Sequence, residues 1–428
     1  MRRFHLPLLS TALMLVLNAP AAWSQASTGS QSPPETLSAP PRSGLTLQQV
    51  LHNAAQNNAR LRASALEAQA AEAAIQQAGV LPNPSLSVDQ EDTRRATRTT
   101  SVLLSQPLEL GGKRAARVEL AQRAHDLAQA ELADRRADVR ATATQAFFDA
   151  LIAQERVAVA EESLRIASGG TTAASKRVIA GKVSPTEETR AKVAEANARI
   201  EWVQAQAEKD IALQALAAAM GTSQATVPAL DGRVDALPGV PDGTRLDARL
   251  TAAPALRRAQ ADVQRSAAAY QLERSKRIPD LTLSLGTKRS EELGRNQALI
   301  GVSIPLPVFD RNQGGQLEAL RRQEAAQALA EAEAVRLKSE VMQAAAQLKS
   351  RRAEVEALKN DVLPGAQSAY EAASRGFELG KFGFLDVLDA QRTWLLARTQ
   401  YLRALSDAHR AAAELDRRLG GDENATQP

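Results

Sequence analysis

The chain has 428 residues, enough for two or three globular domains by length. With only 3% aromatic residues, abundant alanine and mixed-sign polar residues, it reads instead as long helices packed side by side through small side chains. A net charge of +4, with bases dispersed among acids, offers no basic stripe for nucleic acid. The absence of cysteine removes disulfides, thiolate metal sites and a lipid-acylation site.

Residues 1–24 read as a cleavable export signal: Arg2 and Arg3 form the basic start, Leu6 to Leu17 the apolar core, and Ala22-Trp-Ser24 the cleavage site. After residue 24 no apolar run approaches the roughly 18 residues of a spanning helix. Residues 25–45 form an extended Ser/Pro/Gln/Thr-rich segment. A helix is expected over 46–78, closed by Pro82 and Pro84. Ser85-Leu-Ser-Val-Asp89 alternates as a strand with two unlike faces, then comes a charged segment from Gln90 to Arg98. A second strand, Thr99 to Gln106, puts Val102 and Leu104 on one face and Ser101 and Ser105 on the other, with Leu103 breaking the pattern.

From Gly111-Gly-Lys-Arg114 a very long helix is expected to Ile179, with Ser168-Gly169-Gly170 as a soft spot. A strand-to-helix turn is expected there rather than a phosphate loop, because the Gly-x4-Gly-Lys-Ser/Thr spacing is absent. A turn at Gly181, Lys182, Val183 and Ser184 leads into a helix from Pro185 to Met220, and 221–245 is an irregular connector. The order then repeats: helix 246–277, strand Leu281 to Leu285, a polar loop with Glu291, Glu292 and Arg295, strand Ala298 to Ile304, and a long helix to Leu379. A turn at Gly380, Lys381, Phe382 and Gly383 follows, then a helix 384–419 and a tail 420–428. Gly181-Lys182 matches Gly380-Lys381, so the chain is a tandem duplication of 46–220 and 246–419 with one hairpin tip in each half.

Helix lengths suggest that each long helix is flanked by two half-length helices stacked end to end, 185–220 with 246–277 and 384–419 with 46–78. The strands carry apolar Leu86, Val88, Leu281, Leu283, Leu285, Ile300, Val302 and Ile304 on one face and Ser85, Ser87, Thr282, Ser284, Gly301 and Ser303 on the other. Two architectures fit. One is a small soluble sheet on a bundle. The other is a barrel pooled between chains, since about eight strands are the minimum for closure and lipid forbids free edges. Three chains would give twelve strands.

Leu81-Pro-Asn-Pro-Ser-Leu86, Gln106-Pro-Leu-Glu-Leu-Gly-Gly-Lys-Arg114, the run Ile304 to Gly314 and the segment Gly380 to Arg392 together resemble the TolC-type outer-membrane efflux proteins, and most nearly their CzcC-like heavy-metal branch. The resemblance spans essentially the mature chain. It implies a mainly α fold with a small β part: a homotrimeric 12-stranded outer-membrane β-barrel continued by a periplasmic α-helical barrel. It also implies tips that dock a periplasmic adaptor and a proton-driven RND-type inner-membrane pump, with the strands against outer-membrane lipid. Asp386 and Asp389, three apart on one helix face, read on their spacing alone as a solvated surface; the resemblance instead places them at a constricted periplasmic aperture, where three copies would form carboxylate rings. Glu187 and Arg190 are their counterparts in the first repeat, and an Arg190–aspartate contact is a candidate closing interaction.

No nucleophile–base pair or paired-carboxylate site emerges, so no enzyme activity is expected. The histidines His5, His52, His125 and His409 are scattered, so no metal site or cofactor is expected. If metals are the cargo, selection falls to the pump. The competing readings are the same duct serving drug efflux or protein secretion, and a non-channel periplasmic helical scaffold.

Overall fold

The computed structural model describes residues 44–223 and 228–421. The expected signal, the segment 25–43 and the tail from 422 lie outside the described residues.

The first element departs from the expectation of one helix over 46–78. α1 (Leu47–Asn57) starts at Thr46, whose backbone N–H and side chain exchange hydrogen bonds with Gln49, and stops at Asn58. Asn58 is extended, and its side chain accepts from the N–H groups of Arg60 and Leu61 to open α2 (Ala59–Ala78). β1 (Ser85–Glu91) and β2 (Thr99–Leu108) follow. α3 (Lys113–Ile179) runs 67 residues, about 100 Å, straight through Gly169-Gly170. Gly170 faces the Phe384 ring, which a Cβ there would meet at an ordinary 3.8 Å, and the helix continues through both glycines without a break. α4 (Pro185–Ala219) returns.

The second copy repeats the departure. Where one helix was expected over 246–277, α5 (Gly243–Thr251) begins at the Asp242 cap and α6 (Pro254–Ser275) starts at a proline. Pro254 supplies no N–H and pushes Ala253 into an extended conformation, which separates the two helices. β3 (Leu281–Ser290), β4 (Arg295–Ser303) and α7 (Gln313–Ala357) come next. A π turn at Leu358–Val362 then leads into α8 (Leu363–Glu378), where Pro364 sits in the first turn; the wider turn accommodates the missing proline donor without ending the helical course. α9 (Phe384–Leu419) completes the described chain.

The end-to-end stacking differs from that suggested by helix lengths. α4 meets α1 of its own repeat: Leu216 and Met220 share a core with Val50, Ala54, Phe147 and Leu151, and a Cβ on Gly221 would lie 2.6 Å from the Asn57 carbonyl oxygen. In the second repeat α9 meets α5 and α6, with Ala412, Leu415 and Leu419 against Leu246 and Ala253, and Gly420 against Pro254. The two candidate partners have nearly equal lengths, so length could not choose between them. The connector ties these levels together. Leu45 bridges Leu230, and Val234 and Leu237 pack on a core containing Ile152, Val355, Leu402 and Leu405.

His409 anchors that belt. It is 2% exposed, its ring stacks on Phe148 at 3.6 Å, and Nε2 lies 2.7 Å from the Val234 carbonyl, which makes Nε2 the protonated nitrogen. Burial pushes its pKa below the ordinary 6.5, only partly opposed by the Val234 hydrogen bond and the charge of Asp149. A lowered histidine pKa means that the unfolded chain takes up the proton first. The stability contribution is therefore complete above pH 6.5 and is lost as pH falls below it toward the folded value. Thermal midpoints from pH 8 to 5 should fall less steeply in His409→Gln than in the wild type; equal slopes would refute the assignment.

Sheet and junctions

The four strands form one antiparallel sheet in the order β1-β2-β3-β4, and the central β2–β3 pairing joins the two repeats. Its register aligns Leu86 with Leu104, Leu104 with Leu285, and Leu285 with Ile300, one apolar row across all four strands. Val88–Val102 and Leu283–Val302 add further pairs on that face. Leu86 is 68% and Ile300 78% exposed in the single chain. On the opposite face Ser85, Ser105, Ser284 and Gly301 align, and the hydroxyls of Ser105 and Ser284 are 2.9 Å apart. Leu103 breaks the alternation, as does Leu299 in the same row; between them lies Gly286, where a Cβ would come 2.2 Å from the Val102 carbonyl oxygen and 2.8 Å from Leu103 Cδ1. Glycine makes room for Leu103 on the small-residue face.

The strand-to-helix turns are fixed by ion pairs. Asp280 receives the Leu110 N–H at 3.1 Å and Lys113 Nζ at 2.7 Å, and Arg117 holds Glu109 with both nitrogens. Arg114 donates to the Gly79 carbonyl at 2.7 Å. Gly111 has φ +70°, and a Cβ there would lie 2.8 Å from Ile278 Cβ. The Gly-Gly-Lys-Arg run is thus a packed junction.

Candidate functional site: the hairpin tips and the adjoining helix faces

Both tips are built by the same backbone chemistry. α3 ends with Gly181 at φ +68°, and the N–H groups of Lys182 and Gly181 bond the carbonyls of Arg177 and Val178, each at 2.9 Å. Ser184 then caps α4, and Pro185 takes the first helical position. In the second repeat Gly380 has φ +73°, and Lys381 and Gly380 bond back to Gly376 and Phe377 at 2.8 and 3.0 Å. Gly181, Lys182, Ser184, Gly380, Lys381 and Gly383 are exposed, while Val183 is half-buried. Phe382 is 50% exposed, its ring lying over Gly376, where a Cβ would come within 2.1 Å of it. Val183 and Phe382 are therefore only partly free as apolar contacts.

Asp386 and Asp389 are both exposed, one turn apart at the start of α9. Asp386 Oδ2 accepts the Gly383 N–H at 2.9 Å, so this carboxylate also closes the helix start, where the helix dipole favours a negative charge. Asp389 has no such bond. Glu187 and Arg190 occupy the matching turn of α4, and Glu187 is half-buried. Among the described residues no ion pair joins Arg190 to Asp386 or Asp389 within the single chain.

The carboxylate that the sequence reading passed over is Glu188. It receives Lys192 at 2.7 Å and the Ser175 hydroxyl at 3.2 Å; first the lysine and then the serine hold it below the usual carboxylate range. It therefore ties α4 to α3 as an anion. Arg177 was also missed. Its guanidinium lies 3.8 Å from the Phe377 ring centroid and donates to the Phe377 carbonyl at 3.4 Å, joining the first hairpin to the second just above the tips. Phe377, Phe384 and Leu388 then pack against Ala174 and Ala191. Nothing in the local spacing of Arg177 signals a partner two hundred positions away. Further along, Arg398 of α9 pairs with Glu162 of α3. Between α4 and α9, over the alanine-rich face of α3, runs a groove of about 780 Å³ that includes Ser163, Asn197, Gln391 and Arg392.

A model of the outer membrane efflux protein family matches residues 50–222 and again 246–421. The chain belongs to this family. The two matches coincide with the duplicated halves, each an efflux-protein repeat of helix, strand pair and hairpin. Among curated relatives, the cobalt-zinc-cadmium resistance protein CzcC of Cupriavidus metallidurans is 45% identical over 423 residues, 98% of this chain and 100% of that one. The nickel-cobalt-cadmium resistance protein NccC of Alcaligenes xylosoxydans xylosoxydans is 32% identical over 239 residues, 55% of this chain and 53% of that one. Among solved structures, CusC superposes with a TM-score of 0.75 at 20% identity, covering 88% of this chain and 92% of that one. At that identity the likeness shows the fold, the efflux-protein arrangement of a small sheet on long helices.

Proposed function

We propose that three copies of this chain form an outer-membrane duct that releases heavy-metal cations, passed to it by a periplasmic adaptor and a proton-driven inner-membrane pump. The observation that carries the reading is the sheet. Its apolar face is bare, and β1 and β4 are both open edges. A bilayer tolerates strands only when every backbone group is paired, which β1-to-β4 pairing between copies achieves. The serine and glycine face then lines water. The full-length likeness to a cobalt-zinc-cadmium resistance protein supports divalent cations as cargo.

In this reading the tips at Gly181–Ser184 and Gly380–Gly383 meet the adaptor, and Asp386 and Asp389 ring the periplasmic opening. Carboxylates brought near one another repel, which favours a separated arrangement when ionised, and they raise the local cation concentration. Among the described residues no group of three His, Asp or Glu side chains could hold a metal ion. The residues named here would attract passing cations as rings without chelating them. Membrane fractionation tests the reading. Heat-resistant trimers in the outer-membrane fraction, with cobalt, zinc and cadmium tolerance lost on deletion of the gene, are the expected result. Monomers in the soluble periplasmic fraction would instead support the scaffold.

A further inference from the structure

The end of the sheet remote from the helices carries charge that the duct does not use. There the β1–β2 turn presents Arg94 and Arg95, both exposed, and the half-buried Arg98. The neighbouring acids are already engaged. Asp92, at φ +63°, accepts the Arg94 N–H at 3.0 Å and the Thr97 hydroxyl to shape the turn. Glu91 pairs with Lys288 at 3.2 Å, and Glu291 with Arg289 at 3.0 Å. Glu292 is exposed. Glu291, held below the usual carboxylate range first by its hydrogen bond to Arg289, also feels the charges of Arg98 and Arg95, so the turn keeps an excess of positive charge around one engaged acid. The Glu291 N–H donates to the Arg98 carbonyl at 3.0 Å, which fastens the two turns into one surface.

The position of this surface identifies its partner. On the outward face of β2, Val102, Leu104 and Leu108, with Gln106 among them, span about 20 Å along the strand at roughly 3.3 Å per residue, about 15 Å of height at the tilt of a barrel strand. The apolar rows end at Val88–Val102, and the next outward row is polar: Gln90, Thr100, Arg289 and Asn296 in register. The arginine turn stands immediately beyond that row, at the level of lipid headgroups. We infer that Arg94, Arg95 and Arg98 bind the phosphate groups of a phosphorylated glycolipid in the outer leaflet. Guanidinium forks suit phosphate oxygens, and desolvation next to the apolar band strengthens the pairing. The inference rests on the sheet being a membrane barrel.

The test uses purified full-length protein in neutral detergent, titrated with fluorescent diphosphoryl lipid A and with its phosphate-free counterpart. Each cationic residue near an anionic surface contributes roughly fivefold, so Arg94→Ser/Arg95→Ser/Arg98→Ser should bind the phosphorylated lipid on the order of a hundredfold more weakly. The corresponding triple lysine variant, which keeps the charge but loses the guanidinium forks, should bind more weakly than the wild type and more tightly than the serine variant, and added salt should weaken the wild type. Equal binding by wild type and the serine variant, or equal binding of the two lipids, would overturn the inference. So would complete competition by inorganic phosphate at equal concentration, which would make free phosphate the ligand. Bilayer conductance of the same samples separates the failures. A conducting serine variant whose lipid binding equals the wild type's sinks only the lipid site. A wild type that forms no pore removes the barrel reading and the inference with it.

Discussion

Phe147→Ala is expected to destabilise the protein by about 3–5 kcal/mol, the usual cost of deleting a buried aromatic ring. Phe147 is 1% exposed and sits in α3 at the level where α4 ends and α1 begins. Its ring meets Phe148 edge-on at 5.4 Å and closes against Gly232 of the connector. The cavity would open where three chain segments meet, with α4, α1 and the connector all losing a shared partner. Because the rest of the helical contacts are alanine-rich and shallow, few neighbours can collapse inward to fill it. Calorimetry of the purified protein should show a clear drop in the thermal midpoint. A midpoint within a degree or two of the wild type would mean that the belt is not the structural centre described here.

Gly286→Val should abolish assembly in the membrane. Gly286 lies in β3, in the central pairing that joins the repeats, between Leu103 on β2 and Leu299 on β4. Even a methyl group there would come 2.2 Å from the Val102 carbonyl oxygen, a backbone atom that cannot move without breaking the ladder. A β-branched side chain adds a second clash with Leu103. In a soluble sheet an edge can shift into water; in lipid every displaced N–H and C=O is left unpaired at several kcal/mol each. The expected readout is loss of heat-resistant trimer from the outer-membrane fraction. Gly301→Ala, whose new methyl would lie at an ordinary 3.6 Å from Ser284 Cβ, should assemble normally. Normal assembly of Gly286→Val would contradict the register.

The duplication, the strand faces and the long helices could be read from residue pattern, because each rests on local periodicity. α9 was expected at 384–419 and is Phe384–Leu419, set by glycine on both sides. The breaks at Asn58 and Ala253 were missed. Their signals, an asparagine cap and a single proline, are weak inside otherwise helical alanine-rich runs. The stacking of α4 on α1 was misassigned because near-equal helix lengths fit either partner, and the decision comes from contacts such as Gly221 with Asn57. At the tips, the pattern gave the turns and the acidic positions. It could not show that Asp386 spends one oxygen on the Gly383 N–H, that Glu188 is the acid engaged with α3, or that Arg177 reaches Phe377. Those are tertiary facts with no local period.

The decisive measurement is planar-bilayer conductance of the purified protein, wild type beside Asp386→Ser/Asp389→Ser. A cation-selective conductance is expected for the wild type, and a less cation-selective one for the double variant, which lacks the carboxylate rings. Protein that inserts yet forms no pore in either form would contradict the duct.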